Sequence, residues 1–366
     1  MPNIDAPASN HTVEVRIVDT TLRITNGPLS SFMGPAIKGH DSLTAGAFAF
    51  LIAHKDPASD EERKLLFDLG PPKNWKTDLP AAIVERISGW EDNGCAIEIE
   101  KNISEILEEN CVNLQDIEAL IWSHAHWDHT GRPSLFPPSV KLIVGPGIIS
   151  RFGPGYPENV DAPFKSTELA GRVVTELSFA ATSLTIGGMK AIDFFHDGSF
   201  YLLDAPGHAV GHINALARTT SDTFIFIGAD SYHFGAQLRP NEHTPLPDVI
   251  ELENFNPCPC PGELFDRIHP LAASGNTKCS PFYVVSEGSV AADVAHARRV
   301  IQKIQVFDAD ENVLVLNAHE WNYHDVLDLF PCSANNWQEK GWKMKARWRF
   351  LEEFQNAVDL VKGADT

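Results

Sequence analysis

The 366-residue chain contains no apolar run near the ~18 residues needed to cross a bilayer. Its start, Met1-Pro2-Asn3-Ile4-Asp5, lacks the basic region and apolar stretch of a secretory signal, so a cytoplasmic protein with no membrane partner is expected. Basic residues are few: 29 Lys and Arg against 49 Asp and Glu leave a formal charge of −20. A nucleic-acid partner is therefore not expected, because phosphate backbones are held by clustered Lys and Arg. Cysteine is sparse too, with six residues scattered along the chain, and without a secretion signal they read as reduced thiols. Cys258-Pro259-Cys260 lacks a second pair at finger-like spacing, so it is not read as a structural zinc site. No internal repeat is evident. The remaining composition, 43% hydrophobic and 21% charged, is ordinary for a globular protein.

Residues 1–12 read as a flexible leader and 13–334 as the main domain. Within it, 13–18 alternate with period two, 47–52 form a continuous apolar run, and 65–70 read as strand then turn. Ile99, Ile103, Ile106 and Leu107 lie on a helical stripe spanning 97–107. Further strands are expected at 119–122, 140–144, 173–177, 200–204, 212–218, 223–228 and 313–316. A late helix is expected to follow a Ser289 cap, with Val290, Val294, Ala297, Ile301 and Ile304 on one face. Strands and helices mixed over the whole length indicate an α/β sandwich-type architecture. The Pro-, Asn- and Cys-rich stretch at about 233–288 reads as a long insertion of the kind that lines a cleft. Residues 335–366, with Trp337, Trp342 and Trp348, read as a helical extension packed on the domain.

Immediately after the apolar run 119–122 comes Ser-His-Ala-His-Trp-Asp-His-Thr-Gly, residues 123–131. It crowds His124, His126, Asp128 and His129 into six positions. Burying so many imidazoles and carboxylates is costly unless something satisfies them. Neutral imidazole and carboxylate together are a zinc-type donor set. Asp68, His208, Asp230 and His319 each follow an apolar strand, and converging strand ends would bring them to the same edge. His324 competes with His319, whose preceding strand favours it. His269 also falls in the C-terminal third, and His296 lies inside the late helix.

The motif His124-x-His126-x-Asp128-His129, with Gly207-His208 and Ala229-Asp230, resembles the metallo-β-lactamase superfamily over roughly residues 45–320. The resemblance implies an αββα fold: two mixed β-sheets face to face, flanked by helices. It implies two Zn²⁺ per chain, one on His124, His126 and His208, the other on Asp128, His129 and His319, with Asp230 bridging. Asp68 and His212 match supporting positions. Such a pair of ions lowers the pKa of a shared water from 15.7 to about 7, and the hydroxide attacks a carbonyl. Asp128 is suited to move the proton to the leaving group. No serine or cysteine nucleophile is required.

Within the superfamily, Asp230 and all-histidine terminal ligands fit the lactonase-like and glyoxalase-like branches better than β-lactamases with a cysteine ligand. Quorum-quenching lactonases carry a tyrosine three residues after the bridging aspartate. That position is His233 here, and Tyr232 precedes it; either is a candidate to polarise the carbonyl. The stretch 228–240 is similar to lactamase-like hydrolases of filamentous fungi, some of which open rings of plant defence compounds. The expectation is a detoxifying hydrolase that opens a cyclic amide, carbamate or ester. Its partner is that small molecule, and a homodimer is compatible. A thioesterase or glyoxalase II-like hydrolase, an iron oxygenase and a catalytically dead binding protein are the alternatives. Trp127, Phe32 and Phe164 are candidates for an apolar pocket wall, and His40-Asp41 for a cleft lining.

Overall fold

A computed structural model describes residues 4–56 and 61–363. Strands Val13–Asp19, Phe48–Lys55, Glu62–Phe67, Ile117–Trp122, Lys141–Val144 and Val174–Glu176 form one six-stranded sheet in that order. Its first three strands pair antiparallel and the rest parallel. The second six-stranded sheet runs Thr185–Ile186, Met189–Asp193, Phe200–Asp204, Ile213–Arg218, Phe224–Ile227 and Val313–Leu316. It is antiparallel except for the last pair.

The alternation of side chains along each strand explains the layers. Val15, Ile17, Phe50, Ile52, Phe67 and Ile121 from the first sheet meet Leu202, Ile213, Ala215, Ile225 and Leu316 from the second. Their neighbours point the other way. Leu66, Leu120 and Leu142 pack under the helix Ile103–Glu109, while Leu216, Phe226 and Val315 pack under the helix Val294–Ala309. The fold is therefore an αββα sandwich of two mixed sheets. Each fully buried aliphatic side chain adds about 1.5–3 kcal/mol of hydrophobic stabilisation, so this core is the main force closing the layers.

A third core lies beside the sandwich. The small sheet of Arg23–Gly27, Leu43–Ala45 and Ala96–Glu98 and the helix Ala81–Asp92 pack there with Phe234, Phe255, Phe265, Phe282 and Tyr283 from the stretch at 233–288. Phe350, Leu351, Phe354 and Val358 of the C-terminal extension complete it. Trp337 and Trp342 of that extension instead enter the core between the two sheets.

Two local expectations are corrected. The stripe at 97–107 is not one helix. Residues 96–98 pair with Arg23–Thr25, and the helix starts at Ile103, where the Glu105 carboxylate accepts from the Asn102 amide at 2.7 Å. The late helix begins at Val294 and is capped by Asp293, whose side chain accepts from the His296 amide at 2.8 Å, not by Ser289. Within the expected leader Ile4 is buried and Arg218 donates to the Pro7 carbonyl at 2.5 Å, while residues 10–12 are exposed. Among the described residues no helix is long and apolar enough to cross a membrane.

Candidate metal centre

The strand Ile117–Trp122 ends in the buried centre of the first sheet, and its continuation delivers His124 and His126. His126 then stands at the N-terminus of the short helical turn Trp127–Thr130, which presents Asp128 and His129. Asp68 closes the adjacent strand with φ of 61°, a strained value for a residue other than glycine. That conformation aims its carboxylate at this turn: Oδ1 accepts from the Ser123 amide at 2.7 Å, and Oδ2 lies 2.8 Å from His129 Nδ1. His319 Nδ1 is held 2.8 Å from the Gly46 carbonyl. In both rings the anchored nitrogen leaves Nε2 facing inward, the usual way an outer partner orients a metal-ligating imidazole.

Two groups of donors result. His124, His126, His208 and Asp230 form one, Asp128, His129 and His319 the other, with the donor atoms of each lying within 4.8 Å of one another. Asp230 stands between them. Its Oδ1 is 2.9 Å from both His129 Nε2 and His319 Nε2, while Oδ2 is 3.3 Å from His208 Nε2 and 3.6 Å from His124 Nε2. His212 fixes this aspartate from behind, with Nδ1 on the Ala205 carbonyl and Nε2 accepting from the Asp230 amide at 3.2 Å.

The electrostatics show what the cluster is missing. His126 Nδ1 and His208 Nε2 approach to 2.9 Å, and His129 Nε2 and His319 Nε2 to 3.4 Å. Buried His124 Nε2 has no hydrogen-bond partner. Burial and neighbouring imidazoles hold His124 and His126 well below their usual range, so they are neutral donors. Against the pull of burial, Asp230 raises His129 and His319, with Asp68 also acting on His129. Asp230 itself, despite burial, is held well below the carboxylate range by His129, His319 and His233. Converging nitrogen lone pairs around a buried carboxylate call for cations, and this imidazole and carboxylate set fits divalent metal ions.

A γ-lactamase, FDB1, of Fusarium pseudograminearum (strain CS3096) is 39% identical over 359 residues, which cover 96% of this chain and 85% of that one. A solved quorum-quenching N-acyl homoserine lactone hydrolase superposes with a TM-score of 0.54 at 13% identity, over 89% of this chain and 99% of its own. The chain belongs to the metallo-β-lactamase superfamily. A metallo-hydrolase, mfmC, of Annulohypoxylon moriforme is likewise 39% identical, over 98% of this chain and 91% of that one. No protein-family model matches. With a γ-lactamase and a metallo-hydrolase as full-length relatives, the chain is a metal-dependent hydrolase.

All seven expected ligand positions of this superfamily member converge, but the two candidate polarising residues part company. Ala229 takes φ of 42°, and after that turn His233 comes back to the centre, 3.3 Å from Asp230 Oδ2 and parallel to the His319 ring at 5.7 Å. Burial, opposed by Asp230, lowers His233 to about 4, so its ring is neutral. Tyr232 points the other way, fully buried in the core outside the second sheet, and it does not border the cleft. The polarising role expected for Tyr232 is therefore corrected. Among the competitors, His324 is engaged with Asp19 at 3.1 Å and stacks on Trp321. His269 bonds the Ser280 carbonyl, and His296 sits exposed beside Asp293.

A narrow cleft with a cavity volume of about 40 Å³ opens on the centre. Trp127 both borders it and packs against Trp75, so its two expected roles coincide. Phe32 borders it and meets His233 at 4.7 Å. Phe164 does not: it packs on Trp122 at 5.1 Å beneath the first sheet. His40 is also elsewhere, its Nδ1 2.6 Å from the Tyr283 hydroxyl within the third core. Of the 233–288 stretch only His233 borders the cleft, while Phe234, Phe255, Phe265, Phe282 and Tyr283 pack in the third core. The wall itself comes from Ile24, Pro28, Leu43, Arg86 and Trp90, which sequence reasoning missed. These residues carry no motif, and only the packing of the small sheet against the helix Ala81–Asp92 brings them together.

Proposed function

We propose that this protein is a zinc-dependent hydrolase that holds two Zn²⁺ and opens a cyclic amide, carbamate or ester of the γ-lactam or lactone type. The observation that carries the reading is Asp230, which turns one carboxylate oxygen to each of the two donor groups. His124, His126 and His208 would hold one ion, Asp128, His129 and His319 the other, and Asp230 would serve both. Bound there, the ions supply Lewis acidity that polarises a carbonyl and acidifies a water.

The protein's own residues account for the rest. Asp128 is, with His126, one of the two half-buried members of the seven, its side chain 12% exposed at the cleft. It is placed to take the proton of the attacking water and return it to the departing nitrogen or oxygen. Neutral His233 faces the same space and donates a hydrogen bond to the carbonyl oxygen as negative charge develops there. The apolar wall excludes water and favours a compact ring. The relatives support this substrate class: one is a γ-lactamase, and the solved neighbour acts on a lactone.

Metal analysis of the purified protein combined with a panel of lactones, lactams, cyclic carbamates and thioesters tests the proposal. Two zinc ions per chain, and ring opening that disappears in Asp128→Ala, are expected. A single iron, or full turnover of every substrate by Asp128→Ala, would overturn it.

A further inference from the structure

We propose that Arg86 selects substrates carrying a carboxylate on an apolar, ring-bearing skeleton, held across the cleft from the scissile carbonyl. This rests on the hydrolase reading and names the substrate class within it. Among the described residues bordering the cleft, charge is confined to Arg86 and the group around the metal centre; the others are apolar, including Ile24, Phe32, Leu43, Trp90 and Trp127. Arg86 and Trp90 lie four positions apart on the helix Ala81–Asp92, hence on one face, and Trp90 meets Phe32 edge-on at 6.0 Å. Buried Ile87 anchors that helix in the third core, so its cleft-facing side is fixed.

An exposed arginine is ordinarily just solvated. What sets this one apart is its place: it borders the cleft, close enough for its charge to act on His126, and like the solvent-facing Arg299 it has no hydrogen bond or ion pair among the described residues. Arg23, Arg63, Arg132 and Arg239 all hold carboxylates. The helix offers Glu91 close by, yet Glu91 pairs with Lys76 instead. A free guanidinium at the edge of an aromatic cleft presents a planar fork that matches a carboxylate bidentately, while the indole and phenyl faces take the attached ring. With the carboxylate fixed at Arg86, the scissile carbonyl is turned toward the metal edge. This is an orienting contact made outside the reacting atoms.

The test uses zinc-loaded, full-length protein and two isosteric pairs: terephthalate against terephthalamate, and biphenyl dicarboxylate against its monoamide. Within each pair one carboxylate is kept for the metal centre and only the distal charge differs. Quenching of cleft tryptophan fluorescence reads binding. For at least one pair, wild type should bind the dicarboxylate roughly three- to tenfold more tightly, and more so at low salt, as befits a partly solvated ion pair. Arg86→Gln should abolish the difference, and Arg86→Lys should keep part of it. Unchanged circular dichroism and melting temperature in both variants would show that the fold is intact. Equal binding within both pairs, no binding of either dicarboxylate, or a preference that survives in Arg86→Gln would overturn the proposal. Turnover of uncharged lactones by the wild type judges the hydrolase reading separately.

Discussion

Replacing His233 by phenylalanine would keep a ring between Phe32 and His319 but remove the nitrogen that lies 3.3 Å from Asp230 Oδ2. If that nitrogen stabilises charge developing on the carbonyl oxygen, kcat should fall roughly 10²-fold, the scale set by loss of one oxyanion donor. Tyr232→Phe should behave oppositely. The Tyr232 hydroxyl is buried without a hydrogen-bond partner, so removing it should leave kcat unchanged and alter stability by no more than about 1 kcal/mol, in the stabilising direction. Steady-state kinetics and thermal melts of the two variants decide the matter; equal losses of kcat would remove His233 from its role. The seven converging donors were legible in sequence because they cluster after, or stand singly beyond, apolar runs, a pattern that stability alone explains poorly. The choice between residues 232 and 233 was not, because it depends on the backbone turn at Ala229. Phe164 and His40 were misplaced for a related reason: an aromatic residue in a loop carries no mark of the layer it packs into.

At the scale of elements, the junction of the helix Val294–Ala309 with the loop after Phe200–Asp204 positions His208. Gly207 has φ of +135°, and a Cβ there would lie 2.2 Å from the Ala297 amide nitrogen. The two segments are also tied by the Asp293 amide donating to the Gly207 carbonyl at 2.8 Å and the Ala292 amide to the His208 carbonyl at 2.9 Å. Gly207→Ala combines a strained backbone with overpacking and should cost about 3 kcal/mol or more. It should also move His208 away from Asp230, lowering bound metal below that of wild type. Urea unfolding with metal analysis tests this, and a variant with wild-type stability and metal content would show that the junction does not set the position of His208. Ten strands emerged from sequence within a few residues because alternation reflects burial on two faces, whereas Met189–Asp193 and the three short strands of the small sheet did not. Helix starts did not: the stripe at 97–107 counted apolar spacing but ignored the Asn102 and Glu105 cap. In the same way Asp293, rather than Ser289, carries the oxygen that reaches a free helix amide.

For the whole molecule, the two-sheet sandwich was legible from mixed periodicity and from the family resemblance, whereas the third core was not. It is assembled from segments as distant as residues 22 and 358, and no local pattern records such long-range packing. The C-terminal extension shows how far this dependence reaches. Trp337 and Trp342 fill the space between the sheets, and buried Lys343 donates to the carbonyls of Asp308, Asp310 and Val313. Losing either tryptophan alone should cost about 3–5 kcal/mol, against a whole-domain stability of about 5–15 kcal/mol. A chain ending at Asn335 should therefore fail to fold, as circular dichroism would show; a truncated chain with a native melt would contradict this account of the core.

Metal removal tests the centre and the fold together. Without cations, His129 and His319 have raised pKa values and so bind protons that the unfolded chain releases above about 6.5, and their contribution to stability is lost as pH rises through those raised values. His124, His126, His212 and His233 have lowered values, so below about 6.5 the unfolded chain binds protons that the folded chain refuses, and stability falls as pH drops. The two slopes oppose each other, so the cluster should make the chelator-treated protein most stable near pH 6.5 and progressively weaker on either side. Ions bound to these nitrogens replace the protons on His129 and His319, so zinc should flatten the alkaline slope and raise the melting temperature there most. Melting curves across pH, with and without chelator, measure both effects. An alkaline slope that zinc leaves unchanged would mean that His129 and His319 do not receive the ion, and the second half of the proposed centre would have to be abandoned.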